Sequence, residues 1–467
     1  MYGTAATGAG IGVYGRHTGS SGTGPGVRGQ SVSADGPGVL GVNQAGGPGL
    51  SAVVSAGTPP LQVNSATKVP NLNADLLDGL GATAFWQLGG NAGTSPGTDF
   101  LGTSDNQALE LKVNGARALR LEPNATSPNL IGGFSGNSID PAAAGATISG
   151  GGQSGAANTI TSDGSFSTIG GGYFNTVSAA LAFLGGGNAN TASGPNSAIG
   201  GGQGNTAGGS ASAVGGGFSN TASGGSSAVA GGSVNTASAI NSAVAGGASN
   251  TASGGFSAIG GGQSNTASGL YSAVAGGNVN TASGNFSLAA GHQAKATDNG
   301  SFVWADSNDF DIGSNGANTF TARTTGGARF ISAIDATTGA PTAGVSLAAG
   351  GGSWSSLSDR AAKRGFGTVD RRRLLDRLDR IPITSWSYKT QKPSIRHLGP
   401  MAQDFRSAFG LGEDARHIDT IDEGGVALAA IQGLYRQNQA LERRNESLSA
   451  RLGRLERQVR RLARSRR

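Results

Sequence analysis

The chain has 467 residues, of which 85 are glycine, none is cysteine, 6% are aromatic and 13% are charged. The lack of cysteine excludes disulfides and thiolate metal sites, and the glycines follow no third-residue period, which excludes collagen. The formal net charge of +6 is unevenly placed, because residues 1–350 carry 9 Lys/Arg against 14 Asp/Glu whereas residues 351–467 carry 24 against 13.

Many small residues, with Val and Ile at regular intervals, predict a mainly β chain built as a solenoid, where backbone ladders carry most of the structure. No apolar run reaches the roughly 18–20 residues that a membrane span needs. The opening MYGTAATGAG has neither a basic n-region nor an apolar h-region, so no signal peptide is expected.

Residues 1–60 read as short Gly-rich β repeats. Gly12-Val13-Tyr14-Gly15, Gly26-Val27-Arg28-Gly29 and Gly38-Val39-Leu40-Gly41 each set a valine between glycines. Residues 61–145 read as a connector. Its stretch PNLNADLLDGLGATAF resembles a connector of bacterial and phage fibre proteins. Asp75 and Asp78 in that stretch are read as capping a turn before a short apolar helix, not as metal ligands. Leu109, Leu111 and Val113, followed by Asn114-Gly115, predict a β-hairpin.

Residues 146–292 hold the strongest signal. Asn-Thr pairs begin at 175, 190, 205, 220, 235, 250, 265 and 280, a constant spacing of 15. In the same register stand Ile169, Leu184, Ile199, Val214, Val229, Val244, Ile259 and Val274, each followed by a Gly-Gly or Ala/Gly-Gly step. Fifteen residues suit one coil of a narrow β-solenoid with two short strands and two turns. Gly-Gly would supply positive φ at one corner. Asn would take the other corner, in a left-handed conformation and stacked as a ladder. About one large apolar side chain per coil cannot offset an ordering cost of roughly 1–2 kcal/mol per residue, so three chains are expected to associate.

The unit Asn196-Ser197-Ala198-Ile199-Gly200-Gly201-Gly202 resembles the head repeat of trimeric autotransporter adhesins (YadA-like). The resemblance implies a trimeric parallel β-roll. Calcium-binding nonapeptide repeats need an Asp in each turn, and from Ala146 to Ala290 the only charged residue is Asp163. No metal or cofactor is therefore expected. The regular Thr-Ala-Ser rows leave an ice- or polysaccharide-binding solenoid as an alternative to a stiff spacer.

Residues 293–350 read as a small β neck carrying Phe302, Trp304, Phe310 and Phe320. Gly350–Ser353 reads as a linker. Residues 351–430 then predict an α+β domain. Asp370 caps a helix bearing Leu374, Leu375 and Leu378; Ile383–Tyr388 alternates as a strand; Pro400–Phe409 is helical. Ile418–Ile421 reads as a strand turned by Glu423-Gly424-Gly425, and a helix follows from Val426. Residues 431–465 carry Leu434, Leu441, Leu448, Leu455 and Leu462 at intervals of seven, with Ile431, Asn438, Asn445, Leu452 and Val459 beside them. That is a coiled-coil seam, read here as trimeric. The eight arginines from Arg451 to Arg467 read as solvated flanks and a basic end. No aromatic residues interleave them, so no nucleic-acid partner is expected.

The run from Trp354 onward resembles the C-terminal intramolecular chaperone of endosialidase-type phage tail spikes and tail fibres, an auto-processing serine peptidase. The matching residues are Ser358, Asp359 and Lys363, then Trp386-Ser387-Tyr388, then His397 through Phe405, and Gly425 through Gln432. The resemblance implies that the domain trimerises, brings three chains into register and then cuts the Ser358–Asp359 bond. It implies Ser358 as nucleophile and Lys363 as base, and His397 is a further candidate for orienting or oxyanion stabilisation. An ordinary lysine is protonated at neutral pH, so a lysine base requires burial or a neighbouring cation; Arg360 and Arg364 are near in sequence. Arg364-Gly365-Phe366-Gly367 departs from the family pattern.

The resulting expectation is a homotrimeric tail-fibre or adhesin-like surface protein, on a virion or cell surface, with a cell-surface glycan or receptor as its external partner. Its C-terminal module would drive folding and release itself. The alternatives are a fibre that is never cut, and the ice- or polysaccharide-binding solenoid.

Overall fold

A computed structural model describes residues 85–465 and a few isolated positions ahead of them. The chain divides into units spanning residues 1–101 and 102–467. The expected Gly-Val strands of residues 1–60 lie outside the described residues except for Val39 and Leu40, which are exposed and not in a strand; Asp75 and Asp78 also lie outside them. Where a short helix was expected in the first unit, Leu76–Leu77 and Leu80–Gly81 pair antiparallel instead.

The second unit opens with the expected hairpin. Leu109–Val113 pairs with Ala116–Glu122 around Asn114 and Gly115, both at positive φ, the geometry that an Asn-Gly turn favours. Ala116–Glu122 then pairs antiparallel with Asn129–Gly132, and from there the pairing becomes parallel.

The solenoid consists of a 12-stranded and a 15-stranded sheet. Each regular coil contributes a Thr-Ala strand to one and an Ala-Val or Ala-Ile strand to the other. Thr221–Ala222 pairs with Thr236–Ala237, and Ala213–Val214 with Ala228–Val229, both parallel and 15 residues apart. Side chains alternate across a strand, so the second residue of each pair points inward. Val214, Val229, Ala222 and Ala237 are all at most 1% exposed. Parallel pairing continues at both ends, from Asn129–Gly132 to Phe320–Arg323. The solenoid is therefore longer than its 15-residue repeat, and the first half of the expected neck belongs to it.

The asparagines differ from expectation. Asn175 through Asn280 are fully buried rather than left-handed. Asn220 is representative: its Oδ1 accepts the Asn235 backbone N–H at 3.0 Å, and its Nδ2 donates to the carbonyls of Gly216 and Gly232 at 2.9 Å each. The left-handed residue is the one before, as at Ser219, Val234, Ser249 and Ser264. Its amide points backward: Ser219 N–H donates to Gln203 O, in the preceding coil, whereas Thr221 N–H donates to Asn235 O, in the following coil. Reversing the donor direction within two residues needs the left-handed bend, and its cost of about 1–2 kcal/mol per non-glycine residue is met by these ladders. A second left-handed column precedes the buried serines and includes Phe256, Tyr271 and Phe286. Their rings stack face to face at 4.9 and 5.3 Å, close to the spacing of adjacent strands.

The Gly-Gly corner is as expected. Gly217 has φ +94, and a Cβ there would lie 2.2 Å from Gly232 O, whereas one on Gly216 would meet only Gly201 O at 4.0 Å. Gly217→Ala should therefore destabilise the solenoid by at least ~2 kcal/mol, and Gly216→Ala should cost much less. Equal melting shifts for the two variants would contradict this account of the corner.

Polar contacts close the end of the solenoid. Arg323 Nε donates to Asp306 Oδ1 at 2.7 Å, and its guanidinium also donates to the carbonyls of Asn308 and Phe310. Asp306 further accepts from Thr325 N and Oγ1, at 2.8 and 2.7 Å. These bonds, led by the Thr325 amide, hold its carboxyl well below the ordinary range. A depressed carboxylate contributes stability above its unfolded value, about 3.9, and loses it as pH falls below that toward the folded value. Below about pH 4 the wild type should thus lose melting temperature faster than Asp306→Asn, in scans from pH 7 to pH 2; parallel curves would argue against the assignment.

Beyond the solenoid, Ala328–Ile334, Pro341–Leu347 and Trp354–Ser356 form an antiparallel three-stranded neck sheet. The presumed linker Gly350–Ser353 is the turn into its third strand. Three helices follow: α1 (Arg371–Leu378), α2 (Ala402–Phe409) and α3 (Thr420–Ser465). Asp370 caps α1 as expected, accepting from the amides of Arg372 and Arg373. Leu374, Phe405, Val426 and Ala430 form the small core joining the three.

In place of the expected strand at Ile418–Ile421, Ile418 and Asp419 lead into α3, which opens with Thr420 and Ile421. Asp419 acts as its cap, accepting the Ile421 N–H at 2.7 Å. Gly424 and Gly425 stay helical despite a propensity cost near 1 kcal/mol each, because Val426 and Ala430 pack on α1 and α2. Gly433 lets α1 approach closely: a Cβ there would lie 2.9 Å from Leu375 Cδ1. Beyond that contact Leu434, Leu441, Leu448, Leu455 and Leu462 are 49–65% exposed and belong to no core of their own chain.

Candidate functional site

The site lies where the neck sheet ends. Trp354–Ser356 pairs with Val345–Leu347, the Phe330 and Trp354 rings meet at 5.5 Å, and Leu357 N–H donates to Gly344 O at 3.0 Å. The backbone is thus held through Leu357. Ser358 is the first residue past this support, and it borders a cleft of ≈ 190 Å³ whose lining includes Gly344 and Leu357.

After Ser358 the chain folds back. The Asp359 carboxylate accepts the Ala361 N–H at 2.9 Å, and Ala362 and Lys363 donate to the carbonyls of Asp359 and Arg360. Asp favours such a turn because its side chain bonds its own backbone two residues on. The turn returns Lys363 to the serine: its Nζ donates to Ser358 Oγ at 2.5 Å. Both side chains are exposed in the single chain. In the divergent run, Phe366 lies under the Arg360 guanidinium at 5.3 Å, so Arg360 engages a ring rather than Lys363.

Ser358 and Lys363 are therefore brought together, with Asp359 shaping the turn between them. His397 stands elsewhere, on the hairpin of Thr384–Trp386 and His397–Gly399. Its Nε2 pairs with Gln391 Oε1 at 2.8 Å, and its ring packs on Trp386 and Tyr388 at 4.8 and 5.5 Å. Among the described residues no hydrogen bond or ring contact joins it to Ser358 or Lys363. Its surroundings suit a packing and hydrogen-bonding histidine. Sequence reasoning missed Gly344 and Leu357; the available signal was the Trp354–Leu357 run following a Gly-rich turn.

A hydroxyl with an amine in hydrogen-bond reach can serve as nucleophile and base. Among the described residues no group of three His, Asp or Glu is placed to hold a metal ion, and no helix is long and apolar enough to cross a membrane.

Residues 358–410 match the family model of the chaperone of endosialidase. The match begins at the serine of the Ser358–Lys363 contact and includes α1, the His397 hairpin and α2. Comparison with curated proteins gives no match. A chaperone-of-endosialidase domain behind a long β-solenoid is the build of a tail-fibre-like protein.

Proposed function

We propose that the chain is a homotrimeric tail-fibre or adhesin-like surface protein whose chaperone-of-endosialidase domain drives trimerisation and folding and then releases itself by a single cut at Ser358. The observation that carries the cut is the 2.5 Å Lys363 Nζ–Ser358 Oγ contact at the first residue past the neck sheet. Association is supported by the exposed leucine seam of α3. Registering three chains at one end also answers a kinetic need, because non-local β pairing is slow.

Ser358 is the nucleophile and Lys363 the base. The exposure of Lys363 in one chain gives assembly a role, since a lysine base needs desolvation or a nearby cation. Packing by neighbouring copies would supply it, so that cutting waits for assembly. The fibre would act at a virion or cell surface, bound to a glycan or receptor. Intact protein expressed and run on a denaturing gel should give a solenoid fragment and a C-terminal fragment of about residues 359–467. Ser358→Ala and Lys363→Ala should leave only full-length chain. An uncut wild type would instead support a fibre that keeps its chaperone.

The second reading rests on the parallel Thr row, Thr191 through Thr281, whose hydroxyls repeat on one face. Thermal hysteresis would support ice binding there. The stacked rings of Phe256, Tyr271 and Phe286 favour a polysaccharide platform less, because their faces cover one another.

A further inference from the structure

We infer that the neck sheet is an interface between copies of this chain: one of its two faces packs against the same face of the neighbouring chains. The inference rests on the homotrimer proposed above and names a second surface for it, separate from the α3 seam. It follows from how the three strands share their side chains. Ala328 pairs with Leu347 and Leu347 with Trp354, while Phe330 pairs with Val345 and Val345 with Ser356. Residues paired across strands point the same way, and alternate residues of one strand share a face. One face therefore carries Ala328, Phe330, Ala343, Val345, Leu347 and Trp354, with Ser356 at its margin, and the other carries Arg329, Ile331, Ser346 and Ser355. The rings of Phe330 and Trp354 meet at 5.5 Å across the central strand, which agrees with this division.

The apolar face has no cover in the single chain. No residue from Thr324 to Asp370 is buried, and the neck strands belong to neither core. Phe330 and Trp354 remain 59% and 52% exposed. A small sheet gains stability by burying such a face, so a cover is required. Two observations make that cover a second copy. The face carries no charged residue, so identical faces can meet without repulsion or a stranded ion. Chains registered at the α3 seam also bring equivalent neck residues to one level, so each face meets its own counterpart.

The size of the face sets its place in assembly. A free aromatic side chain offers roughly 150–250 Å², so the uncovered parts of Phe330 and Trp354 come to roughly 200 Å². The half-buried Ala328, Ala343, Val345 and Leu347 add less. The total stays below the roughly 800 Å² per partner that a stable interface takes. By itself the neck is too small to bring chains together. It closes once the exposed leucines of α3 have aligned them, and its sheet becomes stable only in the trimer.

The chain has no native cysteine, so single cysteines can report the contact. The background is the full-length chain carrying Ser358→Ala, which keeps the α3 seam attached. Ala343→Cys tests the apolar face and Ser346→Cys the opposite one. With a bismaleimide spanning about 10 Å, the separation of packed sheets, Ala343→Cys should give covalent dimers on a denaturing gel and Ser346→Cys should give none. Phe330→Asp should stay trimeric through the seam in sedimentation velocity, while amide exchange over residues 328–347 speeds up by about tenfold or more. A trimer in which Ala343→Cys yields no dimers, or Ser346→Cys yields as many, overturns the inference and leaves the homotrimer intact. Unchanged exchange in Phe330→Asp does the same. A monomeric Phe330→Asp would overturn the placing of the neck after the seam. A background chain that sediments as a monomer removes both the homotrimer and the inference.

Discussion

Replacing Leu441 and Leu448 together by aspartate is expected to leave the chain monomeric and uncut at Ser358. Both residues are about half exposed in the single chain, at 49% and 50%, and both lie on the seven-residue seam of α3. Burying one leucine side chain contributes about 1.5–3 kcal/mol, so two per chain over three chains amount to on the order of 10 kcal/mol. Aspartate removes that gain and adds the penalty of an unpaired charge at the interface. The core formed by α1, α2 and the start of α3 should survive, because it buries Leu374, Phe405, Val426 and Ala430 without using the seam. Sedimentation velocity reports the association and a denaturing gel reports the cut. A trimer that persists would remove the seam as the association surface. A monomer that still cuts efficiently would sink the coupling of cleavage to assembly.

Asn220→Ala should destabilise the solenoid by about 3 kcal/mol or more. The side chain is fully buried and makes three hydrogen bonds, to Asn235 N–H, Gly216 O and Gly232 O. Alanine strands all three groups where water cannot replace the lost partner, and each buried orphan costs roughly 1–3 kcal/mol. Coils contact mainly their neighbours, so the damage should centre on the coils around residue 220. Hydrogen exchange should speed up there before it does at the ends of the ladder. A melting shift equivalent to less than about 1 kcal/mol would mean that the ladder is not a main support.

Much of the fold was legible because its signals are local or periodic. The 15-residue spacing of Asn-Thr placed every regular coil, Asn114-Gly115 marked the hairpin, and Asp370 marked the start of α1. The site was legible by likeness: Ser358 and Lys363 came from a short matching run, and the structure brings them together. His397 came from a later segment of the same resemblance but lies in its own aromatic cluster, since separate segments of one resemblance need not meet in space. The asparagines were assigned a bend because Asn tolerates one. Their burial depends on carbonyls of the coils on either side, which no single repeat contains. Ile418–Ile421 looked like a strand because of its apolar ends, but the Asp419 cap and the core under Val426 start a helix there.

By itself the sequence determined a solenoid, its period and a helical seam, because each depends on spacing along the chain, whereas the serine–lysine pair came from the family resemblance alone. Only the tertiary structure decided where the solenoid ends, that the asparagines face inward, and that the strand Trp354–Ser356 holds the chain up to Leu357. Those facts arise from pairing between segments distant in sequence, and strand pairing is set by partners rather than by the strand alone.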